Sequence, residues 1–283
     1  MKKWVLSALI YLLVVTGGYT IYAQFSNSES VQSPTEENQH GEHQGSVETK
    51  DKEKSGHEDE GHQHDEGPSF DNDVNVDVNY QNDVITIRLA DQNGNAFNDL
   101  EINHEKRLHF ILVDEHLNAY YHLHPEEIAT GEFQIAKELA GGSYKAFVDI
   151  KPKGLSYHVQ PIQFTVGEQA GEHQHTSLEA DTTLTRTVDG EKVTLEMNTP
   201  TVGKPVTLSF KLNESKLETY LGAMGHVVIL DELAENFLHV HPLNDKEPIF
   251  ETQFNKAGIY KIWAEFKQEG QVRVFPFVIE VKK

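Results

Sequence analysis

From Asp73 onward the chain alternates short apolar runs with turn-forming residues. Val74, Val76 and Val78 alternate with polar neighbours; Val84 to Leu89, Leu108 to Val113, Ala119 to His124, Glu132 to Ile135, Tyr144 to Ile150 and Val159 to Val166 follow. Short β-branched and aromatic runs bounded by turns predict strands. About seven strands in roughly 93 residues is the scale of an immunoglobulin-like sandwich. A polar segment, 167–183, interrupts the pattern, and a second set occupies 184–283. No strong helical periodicity appears beyond the N-terminus, and Lys216 to Ala223 is expected to form one turn at most. The predicted fold is all-β: two tandem immunoglobulin-like β-sandwiches, residues 74–166 and 184–283.

The two sets match one another. The string from His109 to Pro125 aligns without a gap to the string from His226 to Pro242, with six of 17 positions identical: the Asp-Glu pairs, three histidines and the proline. Further on, Gly142 and Tyr144 match Gly258 and Tyr260, Phe147 matches Trp263, Pro161 matches Pro276 and Val166 matches Val281. Self-similarity on this scale indicates an internal duplication.

The first 73 residues read differently. Lys2 and Lys3 precede an uncharged stretch from Trp4 to Ala23. Residues 1–23 are therefore either a signal peptide, cut after Ile21-Tyr22-Ala23, or an anchor just long enough to span a bilayer. Both place the rest of the chain outside the cytoplasm, membrane-anchored or secreted. Residues 24–73 are expected to be a disordered tether: Glu29 to Asp73 has 14 Asp and Glu against 3 Lys and almost no large apolar residue. His40, His43, His57, His62 and His64 fall in it, and imidazole beside carboxylate on a flexible chain suits weak capture of divalent metal. A solvated acidic spacer is the competing account. A smaller cluster, His173 and His175, sits in the later linker.

Charge and composition narrow the function. The net charge of −21 repels phosphate backbones, which argues against a nucleic-acid partner. Without cysteine there is no disulfide, zinc-thiolate site, iron–sulfur cluster or cysteine nucleophile. The 16 histidines are the excess that needs an explanation.

Six of them recur at fixed spacing: His109, His122 and His124 in the first repeat, His226, His239 and His241 in the second. If the runs around Asp114 to Ala119 form a hairpin, His109 faces His124 and His122 faces Ile111. Side chains alternate along a strand, so all three imidazoles then share one face within reach of a common ion. A slip of one residue would turn His109 away. Three imidazoles without thiolate fit Zn²⁺, Cu²⁺ or Ni²⁺. Met224 shares the parity of His226 and is a candidate soft ligand, while Arg107 stands at that place in the first repeat. Asp149 and Glu265, at matched positions, are expected to orient ligands. His104, His116 and His158 have no counterpart in the second repeat and are expected at the surface. The competing account makes the His-x-His-Pro segments structural, bonding the turns at the sandwich rim.

The string Tyr220-Leu221-Gly222-Ala223-Met224-Gly225-His226, the two His-x-His-Pro segments and Gly-x-Tyr-Lys resemble exported bacterial YtkA-like and CopC-like β-sandwich domains. The resemblance covers both repeats and not the tether. It implies metal handling in the cell envelope, with copper the first candidate. CopC-like proteins use a mature N-terminal histidine as ligand; here that residue would be Gln24 or Met1, so that site is not carried over. The function expected is a membrane-tethered extracytoplasmic binder of copper or zinc. The alternative is a non-catalytic envelope module that binds a protein partner. A His₃-metal enzyme ranks below both, since no repeated general base, nucleophile motif or phosphate loop accompanies the histidines.

Overall fold

The computed structural model describes residues 72–167 and 177–283, apart from positions 241 and 245. The anchor or signal segment 1–23, the tether with His40, His43, His57, His62 and His64, and His173, His175 and His241 lie outside the described residues. Both repeats belong to one compact unit, Asp65–Lys283.

The protein is all-β, with two immunoglobulin-like sandwiches. In the first repeat β1 (Val74–Gln81), β2 (Val84–Asp91), β6 (Glu132–Ala136) and β5 (Glu126–Ala129) make one sheet. The strands β4 (Tyr120–Leu123), β3 (Leu108–Asp114), β7 (Gly142–Ile150) and β8 (Ile162–Val166) make the other. The second repeat keeps this order. One sheet runs β15 (Ile249–Gln253), β11 (Pro205–Lys211), β10 (Glu191–Met197) and β9 (Thr185–Val188). In the other, β13 (His226–Asp231) lies between β14 (Phe237–Val240) and β16 (Gly258–Gln268), which also pairs with β17 (Gln271–Val281) and the short β12 (Leu217–Glu218). The expected single turn is a 3-10 turn at Glu214–Lys216, slightly earlier than the sequence suggests, because Asn213 accepts from Ser215 N and starts it there.

The β3–β4 and β13–β14 hairpins carry the recurring histidines, and their register is set by matched turns. Asp114 Oδ1 accepts from Asn118 N at 2.6 Å and Ala119 N at 3.0 Å. Asp231 Oδ1 accepts from Glu235 N at 2.7 Å and Asn236 N at 3.1 Å. Leu117 (φ 57°) and Ala234 (φ 51°) take the left-handed corner in each. The resulting pairs are Ile111 with His122 and Val228 with His239, the register expected from the turn.

Strands β3 and β13 are buried on both faces. Leu108, Phe110 and Leu112 enter the core of the first sandwich; Val227 and Ile229 enter that of the second. The opposite parity meets the other repeat. Ile111, Val113, Leu117 and Phe147 pack with Val228, Leu230, Ala234 and Trp263 in a third apolar cluster. Contacts across this seam come in matched pairs. Tyr120 stacks on Trp263 with centroids 4.8 Å apart, and Phe237 stacks on Phe147 at 5.1 Å. Lys145 Nζ donates to the Leu233 carbonyl at 2.5 Å, and Lys261 Nζ donates to the Leu117 carbonyl at 2.7 Å. Since Tyr120 aligns with Phe237 and Lys145 with Lys261, the two repeats meet about an approximate two-fold axis.

Candidate metal centre

Among the described residues, the recurring histidines lie on the seam face of each sheet, in line with the apolar seam residues. His109 precedes Ile111 and Val113 by period two; His226 precedes Val228 and Leu230 in the same way. Both are fully buried. In register, His109 sits beside Asp149, and His226 beside Glu265.

The carboxylates do not serve their own repeat. Glu265 Oε2 lies 2.9 Å from Nδ1 of His122, across the seam. Asp149 Oδ2 lies 2.5 Å from Nδ1 of His239, the reciprocal contact. The sequence places Asp149 and Glu265 as groups that orient ligands, without indicating which repeat's histidine each one serves. They reach the other repeat because their side chains point outward from β7 and β16, each toward the face that the opposite sandwich covers.

These partners fix the tautomers. Carboxylate and carbonyl oxygens only accept, so the ring nitrogen facing them carries the proton in a neutral imidazole. His122 and His239 are held at Nδ1, leaving each Nε2 with its lone pair. His109 donates from Nε2 to the Asn103 carbonyl at 2.9 Å, and His226 from Nε2 to the Tyr220 carbonyl at 3.0 Å, leaving each Nδ1 with its lone pair. His109 Nδ1 is nevertheless 2.9 Å from His122 Nε2 and 3.2 Å from His124 Nε2. Two lone pairs face each other at hydrogen-bond distance, an arrangement that calls for a shared cation: a proton or a metal ion. Among the described residues, one group of three has its ligand atoms all within 4.8 Å of one another: His109, His122 and His124.

Burial disfavours the charged form of three of these rings. Desolvation lowers His109 to about 4, His124 to about 3 and His226 to about 2, with neighbouring imidazoles adding to the effect. Burial, then the charge of Glu265, raises the Tyr120 hydroxyl well above its ordinary value.

The second repeat's members stand nearby. The centroid of His239 is 5.3 Å from that of His109, and His226 and His239 are each 6.0 Å from His122. Met224 is half-buried, two residues before His226. His104, expected at the surface, instead lies in the cluster, 5.1 Å from His226 and 5.4 Å from His239 between centroids. It sits at φ 46° in the tight turn closed by Asn103 and Lys106, which folds it back over the seam. Having no sequence counterpart in the second repeat, it carried no repeat signal. His158 is exposed as expected, while His116 is half-buried beside Glu115. A cleft of about 540 Å³ lined in part by Asn103, Asp149, His158, Phe237 and His239 opens beside the cluster.

The family model described as a domain of unknown function (DUF8832) matches residues 67–168 and again 186–283. The chain belongs to the DUF8832 family. Each sandwich is one DUF8832 copy, so the duplication read from the histidine strings is also a duplication of the family unit. No curated protein matches the chain. Among solved structures, the Escherichia coli adhesin FdeC is 16% identical over 75% of this chain, with a TM-score of 0.23. The chain spans 65% of that adhesin's length. A two-domain fibronectin type III segment of chicken tenascin is 10% identical, covering 74% of this chain and 99% of that one, with a TM-score of 0.23.

Proposed function

We propose that this two-copy DUF8832 chain binds a divalent metal ion, copper or zinc, outside the cytoplasm, and is a binder rather than a catalyst. The observation that carries the proposal is the convergence of His109, His122 and His124, with the tautomers of His109 and His122 set so that their lone pairs meet. Imidazole nitrogen with an outer carboxylate or carbonyl on the other ring nitrogen is the arrangement of zinc and copper sites. The cleft beside Asp149 and His239 provides a route in. Supporting the location are Lys2 and Lys3 before an uncharged stretch; supporting a collecting role is the His-rich acidic tether. The envelope metal handling implied by YtkA-like and CopC-like domains points the same way.

The test is metal analysis of the untagged full chain carrying Gln at the five tether histidines and at His173 and His175. After incubation with Cu²⁺ or Zn²⁺ and gel filtration, bound metal should remain, and His109→Ala with His122→Ala should remove it. Metal bound by the tether alone would overturn the proposal. A second reading has one observation in its favour: His122–Glu265 and His239–Asp149 also link the repeats without metal, with a proton in place of the ion. That reading makes the histidines structural and the protein a module for a protein partner.

A further inference from the structure

We infer that the two repeats hold one metal ion jointly, at the approximate two-fold axis, rather than one ion each. The inference rests on the metal-binding proposal and adds to it the stoichiometry and the cross-repeat dependence of the site.

Three observations carry it. The first is position. The ring centroids of His109, His122, His226 and His239 are mutually separated by 5.2 to 6.4 Å. Four imidazoles around one tetrahedral ion, with metal–nitrogen bonds of about 2.0–2.1 Å, place their centroids roughly 5 Å apart. The ligand nitrogens of His109, His122 and His124 already lie within 4.8 Å of one another, and His226 and His239 would have to turn their rings toward them. His124 completes the first repeat's side, 3.2 Å from His109 Nδ1.

The second is protonation. In all four rings the nitrogen that bonds a carbonyl or carboxylate is identified, Nε2 of His109 and His226 and Nδ1 of His122 and His239, so the opposite nitrogen is the one that would ligate. The pattern obeys the same two-fold relation as the seam. Glu265 of the second repeat orients His122 of the first, and Asp149 of the first orients His239 of the second. Neither repeat completes its own ligands.

The third is charge. Asp149 and Glu265 place two carboxylates directly against the histidines, while the seam's Lys145 and Lys261 are engaged with the Leu233 and Leu117 carbonyls. One dication balances the two carboxylates. A second would leave two uncompensated positive charges in a buried site, which the low local dielectric disfavours.

Asp149 and Glu265 are thus positioning residues acting through the histidine of the opposite repeat. The probe is Co²⁺, added to the full chain with Gln at the tether and linker histidines, and read by its visible d–d bands. One Co²⁺ per chain is expected, with bands of a single nitrogen-rich site. His122→Ala and His239→Ala, in different repeats, should each abolish the same bands. Glu265→Gln should weaken Co²⁺ binding by about 10–100-fold, and Asp149→Asn likewise, the range seen when an outer partner of a ligand is removed. Glu265→Asp should restore part of the loss. If an alanine variant does not fold, as judged by circular dichroism, the near-isosteric Gln and Asn variants decide the matter alone. Two Co²⁺ per chain lost independently, or amide variants that leave affinity unchanged, would overturn the joint site while leaving metal binding intact. No Co²⁺ at all would overturn both.

Discussion

His122 Nδ1 lies 2.9 Å from Glu265 Oε2, although the two residues belong to different repeats and are 143 positions apart. Their side chains are 1% and 4% exposed, so the contact is shielded from water. Shielding makes it strong when complete and costly when broken. The same relation, reversed, joins His239 to Asp149. The site's chemistry and the docking of the two sandwiches therefore rest on the same atoms.

Acid should loosen the metal-free protein. His109, His124 and His226 are held below the ordinary histidine value, to about 4, 3 and 2. Between those values and about 6.5 the unfolded chain binds more protons than the folded one, so stability is complete above about 6.5 and is lost as pH falls. Denaturant midpoints of metal-free protein should decline from pH 7 to pH 4.5, by an amount on the order of a few kcal/mol. His124→Gln with His226→Gln should flatten the decline. A midpoint independent of pH across this window would contradict the burial of these rings.

Gly225 admits no larger residue. It sits at φ +151°, and a Cβ there would come within 2.5 Å of Phe266 Cε1 and 2.8 Å of the Glu265 carbonyl oxygen. Gly225→Ala should cost on the order of 2–4 kcal/mol through overpacking and backbone strain. Because His226 follows directly, the same change should also lower metal affinity. Thermal melts with and without ion would separate the two effects.

The hairpin turns should matter equally in both copies. Asp114→Ala removes the acceptor for Asn118 N and Ala119 N, and Asp231→Ala removes the acceptor for Glu235 N and Asn236 N. Each loss should destabilise by about 1–2 kcal/mol. Urea unfolding of the two single variants checks the expectation, and a cost in only one would show the turns are not equivalent.

Trp263 is the largest side chain at the seam, stacked on Tyr120 and 2% exposed. Trp263→Ala should destabilise by about 3–5 kcal/mol. If the seam is a true core, unfolding monitored by circular dichroism should also become less cooperative, with the sandwiches separating before they melt. An unchanged single transition at the same midpoint would argue that the seam contributes little.

Much of this was legible in the chain. The Asp-Glu turn set the hairpin register, and with it the shared face of His109, His122 and His124. The gapless repeat gave two sandwiches with matched strand order. Strands β5, β9 and β12 were not foreseen; they are short edge additions whose residues carry little apolar periodicity. The seam was missed for a different reason. No local spacing encodes which outer face docks on which, so each triad reads as a site of its own repeat and the histidine served by Asp149 or Glu265 is not legible. One signal was available. Phe110 to Val113 and Val227 to Leu230 are apolar without alternation, which means both faces are buried. In a duplicated chain, the second copy is the obvious cover. His104 had no such signal, since its place depends on a turn at Asn103 and Lys106 rather than on a strand.

A seam with two-fold symmetry is ordinarily made by two identical subunits, and its occupancy then depends on their concentration. Here both halves are in one polypeptide, joined between Val166 and Thr185. Association becomes an intramolecular event, with an effective concentration in the millimolar range for a short connection. The convergence of His109, His122, His226 and His239 is thereby independent of how dilute the protein is.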